Sequence, residues 1–400
     1  MKILSAALIA VTASPCVLAV GEHELDWASR ARYANVDAEN SGQAASLLLR
    51  GNIESTWNDT LGSLLEVDGI ATTFNDDHSD GVRFNNQPDI PDPKGVEINQ
   101  AFLSLDREWA VFQLGRQRIN FDNQRFIGGN GFWQNEQTFD ALLGKFKVAS
   151  NSNFTYSYVA NVNRIYGDDA DKNSGGTSQY GQANVRAAAW LGDHEHNTHL
   201  TRLEWNEWDY TRVVAYAHRM DNKDMPSASN NTFGASYQFN YKADLIKYRV
   251  QIEAAQQDRF EVAADRLPYY LVDLGFGIRT WELNTRYEVL GQNEGAAFIT
   301  PLGSNHDFEG WADEIGNTPN SGIRNFSVGL LWRESPFRIE TSYHFFKDDL
   351  EGNDIGREFD LDLVYKPSRK HSIALRLAQF EPEDSSDSIR KVYLDYAFNL

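Results

Sequence analysis

Seven arginines define the chemistry open to this chain. Arg116, Arg118 and Arg125 fall within one irregular segment, whereas Arg249, Arg286, Arg338 and Arg376 recur in runs of alternating apolar and polar residues. A guanidinium keeps its charge and presents planar, paired donors that match a carboxylate, so a file of them suits an anionic sugar chain handed from site to site. Arg30, Arg32, Arg50 and Arg202 fall on the same polar faces. So do Glu54, Glu66, Asp68, Glu204, Glu253, Glu282, Glu288, Glu340, Asp360 and Asp362. A mutually neutralising lining, as in a general pore, accounts for the same residues, and charge alone leaves both readings open.

Other chemistries find less support. The single cysteine, Cys16, lies in the N-terminal leader, which removes disulfides, thiolate metal sites and cysteine nucleophiles from the mature chain. His194, His196 and His199 have ligand-like spacing but no carboxylate beside them in a fitting pattern, so no metal is expected. The segment from Asp169 to Asn173 opens like a calcium loop, yet Ser174 occupies the glycine position and Tyr180 the closing glutamate position. Gly128, Gly129 and Gly131 do not form the dinucleotide-binding pattern after a strand. No spacing of Ser, His and Asp marks a nucleophile, so neither an enzyme nor a cofactor is expected.

The elements that must position the arginines are strands. In the last run Val392, Leu394, Tyr396, Phe398 and Leu400 share one face while Tyr393, Asp395, Ala397 and Asn399 share the other. An apolar face carried to the final residue, in a chain whose mean hydropathy is −0.52, fits a barrel that is greasy outside and wet inside. About 18 such segments follow one another between residues 24 and 400, near the 9 to 11 residues a tilted strand needs to cross a bilayer. Short connections alternate with long ones, the longest at 167–195 and 291–322. The expected fold is therefore all-β: a transmembrane, antiparallel, up-and-down β-barrel of about 18 strands with long extracellular loops. The 110–119 strand alternates poorly, because Phe112 and Leu114 share a face with Arg116 and Arg118, and a bulge or lumen-inserted end is expected there. Residues 1–19 read as a signal peptide, with Lys2, an apolar stretch and Val17-Leu18-Ala19 at the cleavage site; residues 20–400 form the barrel. The expected location is a Gram-negative outer membrane, with membrane lipid, lipopolysaccharide and the barrel-assembly machinery as partners. A net charge of −20 makes nucleic acid an improbable partner.

Two loop segments carry a more specific pattern. The first holds Gly115-Arg116-Gln117-Arg118, Asn123-Gln124-Arg125-Phe126, Gly128 and Gln134 through Asp140. The second holds Thr300-Pro301-Leu302, His306, Phe308, Gly310-Trp311-Ala312-Asp313, Thr318-Pro319 and Gly322. Together they resemble the bacterial alginate export porin family. The resemblance implies an 18-stranded outer-membrane barrel with an arginine-lined passage for an anionic polysaccharide or oligosaccharide, constricted by loop residues that include Asp140, His306, Phe308, Trp311 and Asp313. A general diffusion porin is the alternative, and an outer-membrane hydrolase or a surface adhesin the alternatives of another class. Arg116, Arg118 and Arg125 can equally pair with Asp122, Glu136 and Asp140 to hold an infolded loop, and Phe308 with Trp311 can pin the long loop over the mouth.

Overall fold

Alternation becomes geometry in a computed structural model that describes residues 21–74, 77–171, 187–262, 264–384 and 386–400. The leader assigned to residues 1–19 lies outside the described residues, as does most of the calcium-like segment beyond Asp171. The strands are β1 Glu22–Asp37, β2 Ser41–Thr56, β3 Leu61–Thr73, β4 Gly95–Arg107, β5 Ala110–Gln117, β6 Thr138–Lys147, β7 Asn153–Asn163, β8 Asp193–Trp208, β9 Thr211–Met220, β10 Asn230–Ala243, β11 Ile246–Arg259, β12 Leu267–Ile278 and β13 Trp281–Leu290. After a two-stranded loop hairpin, β14 Gln292–Asn293 and β15 Ala296–Ala297, come β16 Ile323–Glu334, β17 Phe337–Lys347, β18 Asp354–Tyr365, β19 His371–Pro382 and β20 Ile389–Asn399. The hairpin stands apart, and the other 18 strands form one sheet. Each pairs antiparallel with its neighbours in sequence, and β1 closes on β20 from Ala28↔Asn399 to Asp37↔Arg390. Closure leaves no free sheet edge, which is what a strand structure in hydrocarbon requires.

The two faces sort by solvent. Leu47, Leu49, Phe233, Tyr237, Leu274, Phe276, Phe326, Leu330 and Phe359 stand exposed on the outside, and Trp109, Trp208, Trp281 and Phe337 continue that face near the short-turn end. Arg32, Arg50, Arg249, Arg286, Arg338 and Arg376, with Asp68, Asp273, Asp362 and Asp395, occupy alternate positions and point inward. Burying a midplane arginine in lipid instead would cost roughly 2–4 kcal/mol, so register is fixed by the solvent on each side.

Two details depart from the sequence expectation. β8 begins at Asp193, so the long connection read as 167–195 ends at residue 192 and His194 lies in a strand. The first loop-end connection is only residues 38–40, so the alternation of short turns and long loops is not strict. Nor is the interior empty. Phe126, Ile127, Phe298, Leu302, Ala312 and Ile315 come from the 118–137 and 291–322 loops and are buried against Tyr216, Tyr269, Leu271, Phe346 and Phe380 of the wall. Both loops therefore fold into the barrel.

Candidate permeation pathway

The 118–137 loop turns inward because β5 stops early. Gly115 has φ +130°, and a Cβ there would stand 2.2 Å from the Ala101 carbonyl, so only glycine lets the strand bend at this point. Register sets Arg116 opposite Asp140 and Leu114 opposite Leu142. Arg116 and Asp140 thus share the outer side of the wall with two exposed leucines. Arg116 Nε donates to Asp140 at 2.8 Å, and its Nη1 donates to the Ile98 carbonyl at 3.1 Å, where β4 continues past the end of β5. These two residues were expected in the passage; they secure the wall where β5 leaves it.

Beyond Gln117 the chain crosses to the lumen. Arg118 bonds Glu136 of its own loop and Glu66 of β3, and Arg50 joins the same group through Asp68 at 2.6 Å and Glu136 at 2.8 Å. Asp122 receives Arg202 at 2.7 Å and Arg212 at 2.5 Å. Arg125 is fully buried. Its Nε donates to Glu288 at 2.9 Å, its Nη2 to Glu309 at 2.5 Å and its Nη1 to Asn305 at 3.1 Å, while its guanidinium lies 4.8 Å from the Phe308 ring centroid.

The two infolded loops are zipped together by their backbones. Gly128 N donates to the Leu302 carbonyl at 2.9 Å and Ser304 N to the Gln124 carbonyl at 2.9 Å, and Gln137 Nε2 bonds the carbonyls of both Gly128 and Leu302. His306 stacks on Phe132 with centroids 3.6 Å apart and bonds Asp313 at 2.8 Å. Burial would raise the Asp313 pKa, but His306 and Lys391 hold it below the usual carboxylate range. Phe132 in turn lies under Arg32, 4.4 Å away. Glu358 of β18 accepts the Ala312 N–H at 2.7 Å and so ties the 291–322 loop to the wall. Phe308 is buried and Trp311 half-buried in this assembly.

The remaining arginines continue the pattern around the wall. Arg249 and Arg286 share Asp273 at 2.7 and 2.8 Å; Arg338 pairs with Glu340 and, at 2.5 Å, with Asp362; Arg376 pairs with Asp362 at 3.3 Å and Asp395 at 2.6 Å. Each of the seven arginines singled out in the sequence is thus held by at least one carboxylate.

Two pockets flank the joined loops. The inner one, about 160 Å³, is lined by Arg249, Arg286, Asp273, Asp307, Trp311 and Glu340. The outer one, about 450 Å³, opens at the long-loop end between Arg164, Tyr166, Trp190, Arg259, Thr300 and Asn305. The turn from Asn305 to Gly310 divides them, with Arg125 at its base. Arg164 and Arg259 were not singled out in the sequence, where nothing separates a strand-end arginine facing a pocket from one facing water. Glu66, Glu136, Glu288 and Glu309 were likewise legible as acids but not as partners of particular arginines.

A scan against protein-family models finds no match, and a search of curated proteins finds no significant one. The likeness to alginate export porins therefore rests on the two loop segments alone. Solved structures do match over nearly the whole length. OccAB4 of Acinetobacter baumannii superposes with TM-score 0.72 at 11% identity, covering 95% of this chain and 98% of that one. The outer membrane protein opdK of Pseudomonas aeruginosa gives 0.70 at 11%, with 95% and 98% covered, and OccK9 (OpdG) of the same organism 0.69 at 12%, with 95% and 99%. This protein is a closed, 18-stranded antiparallel β-barrel. At such identity the likeness concerns the fold, and what passes through the barrel must be argued from its own residues.

Proposed function

We propose that the protein is a passive outer-membrane channel for small hydrophilic solutes, with the joined 118–137 and 291–322 loops as its constriction. The observation that carries this reading is the lining: along the charged, hydrogen-bonding lumen, Arg32, Arg50, Arg118, Arg125, Arg202, Arg249, Arg286, Arg338 and Arg376 are each matched by a carboxylate, while Arg30 is held by Gln134 and backbone carbonyls. A conduit for a polyanion needs a file of arginines free to exchange carboxylates. Here the substrate would have to displace Asp273, Asp362, Asp395 or Glu136 at each step, which favours the general pore over the acidic-polysaccharide conduit.

Planar-bilayer conductance and liposome swelling test the proposal together. Purified protein is expected to give stable conductance with weak ion selectivity and to admit neutral and acidic monosaccharides at similar rates, while long oligouronates stay out. Deleting residues 304–318 is expected to raise conductance and the size cutoff without preventing folding. A folded protein that never conducts, with or without the deletion, would point instead to an enzyme or adhesin. Passage of long oligouronates would restore the polysaccharide conduit.

A further inference from the structure

The outer pocket differs from the rest of the interior in its charge. Among the described residues Arg164, Arg259 and His194 line it and no carboxylate does, in a chain with 57 acidic residues. Among the described residues, neither arginine has an ion-pair partner. Arg164 Nη1 donates to the carbonyls of Ala189 at 2.8 Å and Leu191 at 3.4 Å; Arg259 donates to the carbonyls of Ala297 at 3.3 Å and Ser227 at 2.9 Å. Carbonyl oxygens orient a guanidinium without neutralising it. The Nε of Arg259 is buried and has no hydrogen-bond partner.

The walls add a second kind of recognition. Tyr166 and Trp190 meet at 5.2 Å and 51°, Phe84 braces Trp190 edge-on at 5.0 Å, and Arg164 lies 5.1 Å from the Tyr166 ring. This is a fixed aromatic corner beside a cation. The Tyr166 hydroxyl and the side chains of Asn317 and Thr318 have no hydrogen bond among the described residues, so they can meet hydroxyl groups. A pocket of about 450 Å³ falls in the range of roughly 300–1,000 Å³ common for small-molecule sites.

We infer that this pocket at the channel mouth is a binding site for a compact oxoanion carried on a sugar ring, with Arg164 and Arg259 holding the anion and the Tyr166–Trp190 corner the ring. The inference reaches past the channel reading, because a charge-balanced lumen gives a mouth site no reason to prefer anions.

Calorimetry on the folded protein in detergent tests it with galacturonate, glucose 6-phosphate and galactose. Binding of the two anions and at least about tenfold weaker binding of galactose are expected, since each charge-assisted bond is among the stronger kind. The ratio between the anions tells whether carboxylate or phosphate is the better fit. Replacing Arg164→Gln with Arg259→Gln should weaken anion binding at least about tenfold. Should that variant fail to fold, Asn317→Asp offers an independent test: it puts a carboxylate on an exposed position of the pocket rim, touches neither arginine, and should weaken anions but not galactose. Galactose binding as tightly as galacturonate, no anion binding to the parent, or anion binding unchanged in the folded variants would each overturn the assignment. Calorimetry reads binding whether or not the barrel conducts, so such a failure would leave the channel reading standing.

Discussion

Arg125 concentrates the energetics of the constriction in one side chain. Its partners Glu288 and Glu309 are as buried as it is, so removing the guanidinium leaves two carboxylates without a cation, a loss of about 3–5 kcal/mol in comparable buried pairs. Arg125→Met should therefore leave the barrel folded but free the 291–322 loop, read as faster proteolysis there and noisier conductance. A variant with the parent's proteolysis rate would show that the backbone zipper suffices. Glu309 adds a pH dependence. Burial pushes its pKa up from 4.5 to about 7, against the opposing pull of Arg125. An acid raised on folding contributes stability that is full below about 4.5 and lost as pH rises through about 7. The loop should accordingly resist protease better at pH 5 than at pH 8, and Glu309→Gln should flatten that difference. Sequence made part of this visible: Arg118–Glu136 and Arg116–Asp140 are among the local pairings it offers. The partners of Arg125 lie 163 and 184 residues away, and only the loop path brings them together.

At the scale of elements, the same contrast separates strands from loops. A strand's faces are set by the solvent on each side, so alternation in residues 391–400 or 337–346 translates directly into lumen and lipid. The 110–119 segment breaks the alternation because Arg116 serves the wall from outside and Gly115 bends the strand; the expected lumen-inserted end is there, but the outward side of Arg116 was not legible. The 291–322 loop advertised its length and its anchors Phe308 and Trp311, but not its docking partners, such as Arg125 for Glu309 and Glu358 for the Ala312 N–H, which lie far off in sequence. Gly310 is the sharpest test of that docking. It has φ +80°, and a Cβ there would come 2.4 Å from the Glu358 carboxylate that receives the Ala312 N–H. Gly310→Ala should add backbone strain of order 1 kcal/mol and displace that carboxylate. Higher conductance at unchanged barrel stability is expected, and an unchanged conductance would mean that the loop docks through the 118–137 loop alone.

For the whole molecule, the closing seam between β1 and β20 decides whether eighteen strands make a barrel or an open sheet. On its lumen side Asp395 of β20 receives Arg32 of β1 at 2.8 Å and Arg376 of β19 at 2.6 Å, so one carboxylate ties three consecutive strands across the point of closure. Arg32 also reaches Asp92 at 3.3 Å and the Phe132 carbonyl at 2.8 Å, which links the seam to the infolded loops. Asp395→Ala removes the shared acceptor and leaves Arg32 buried with the longer pairing to Asp92 as its remaining ion pair, beside the Phe132 carbonyl. The backbone ladder from Ala28 to Asp37 is untouched, so the barrel should still form and still migrate as a folded species before heating. Its unfolding temperature should fall, since losing one partner of a buried pair costs about 3–5 kcal/mol, and replacing Asp395 with Asn, which keeps an acceptor for Arg32, should recover part of the loss. Equal unfolding temperatures for the parent and Asp395→Ala would assign closure to the ladder alone and reduce the ion pairs at the seam to lumen chemistry.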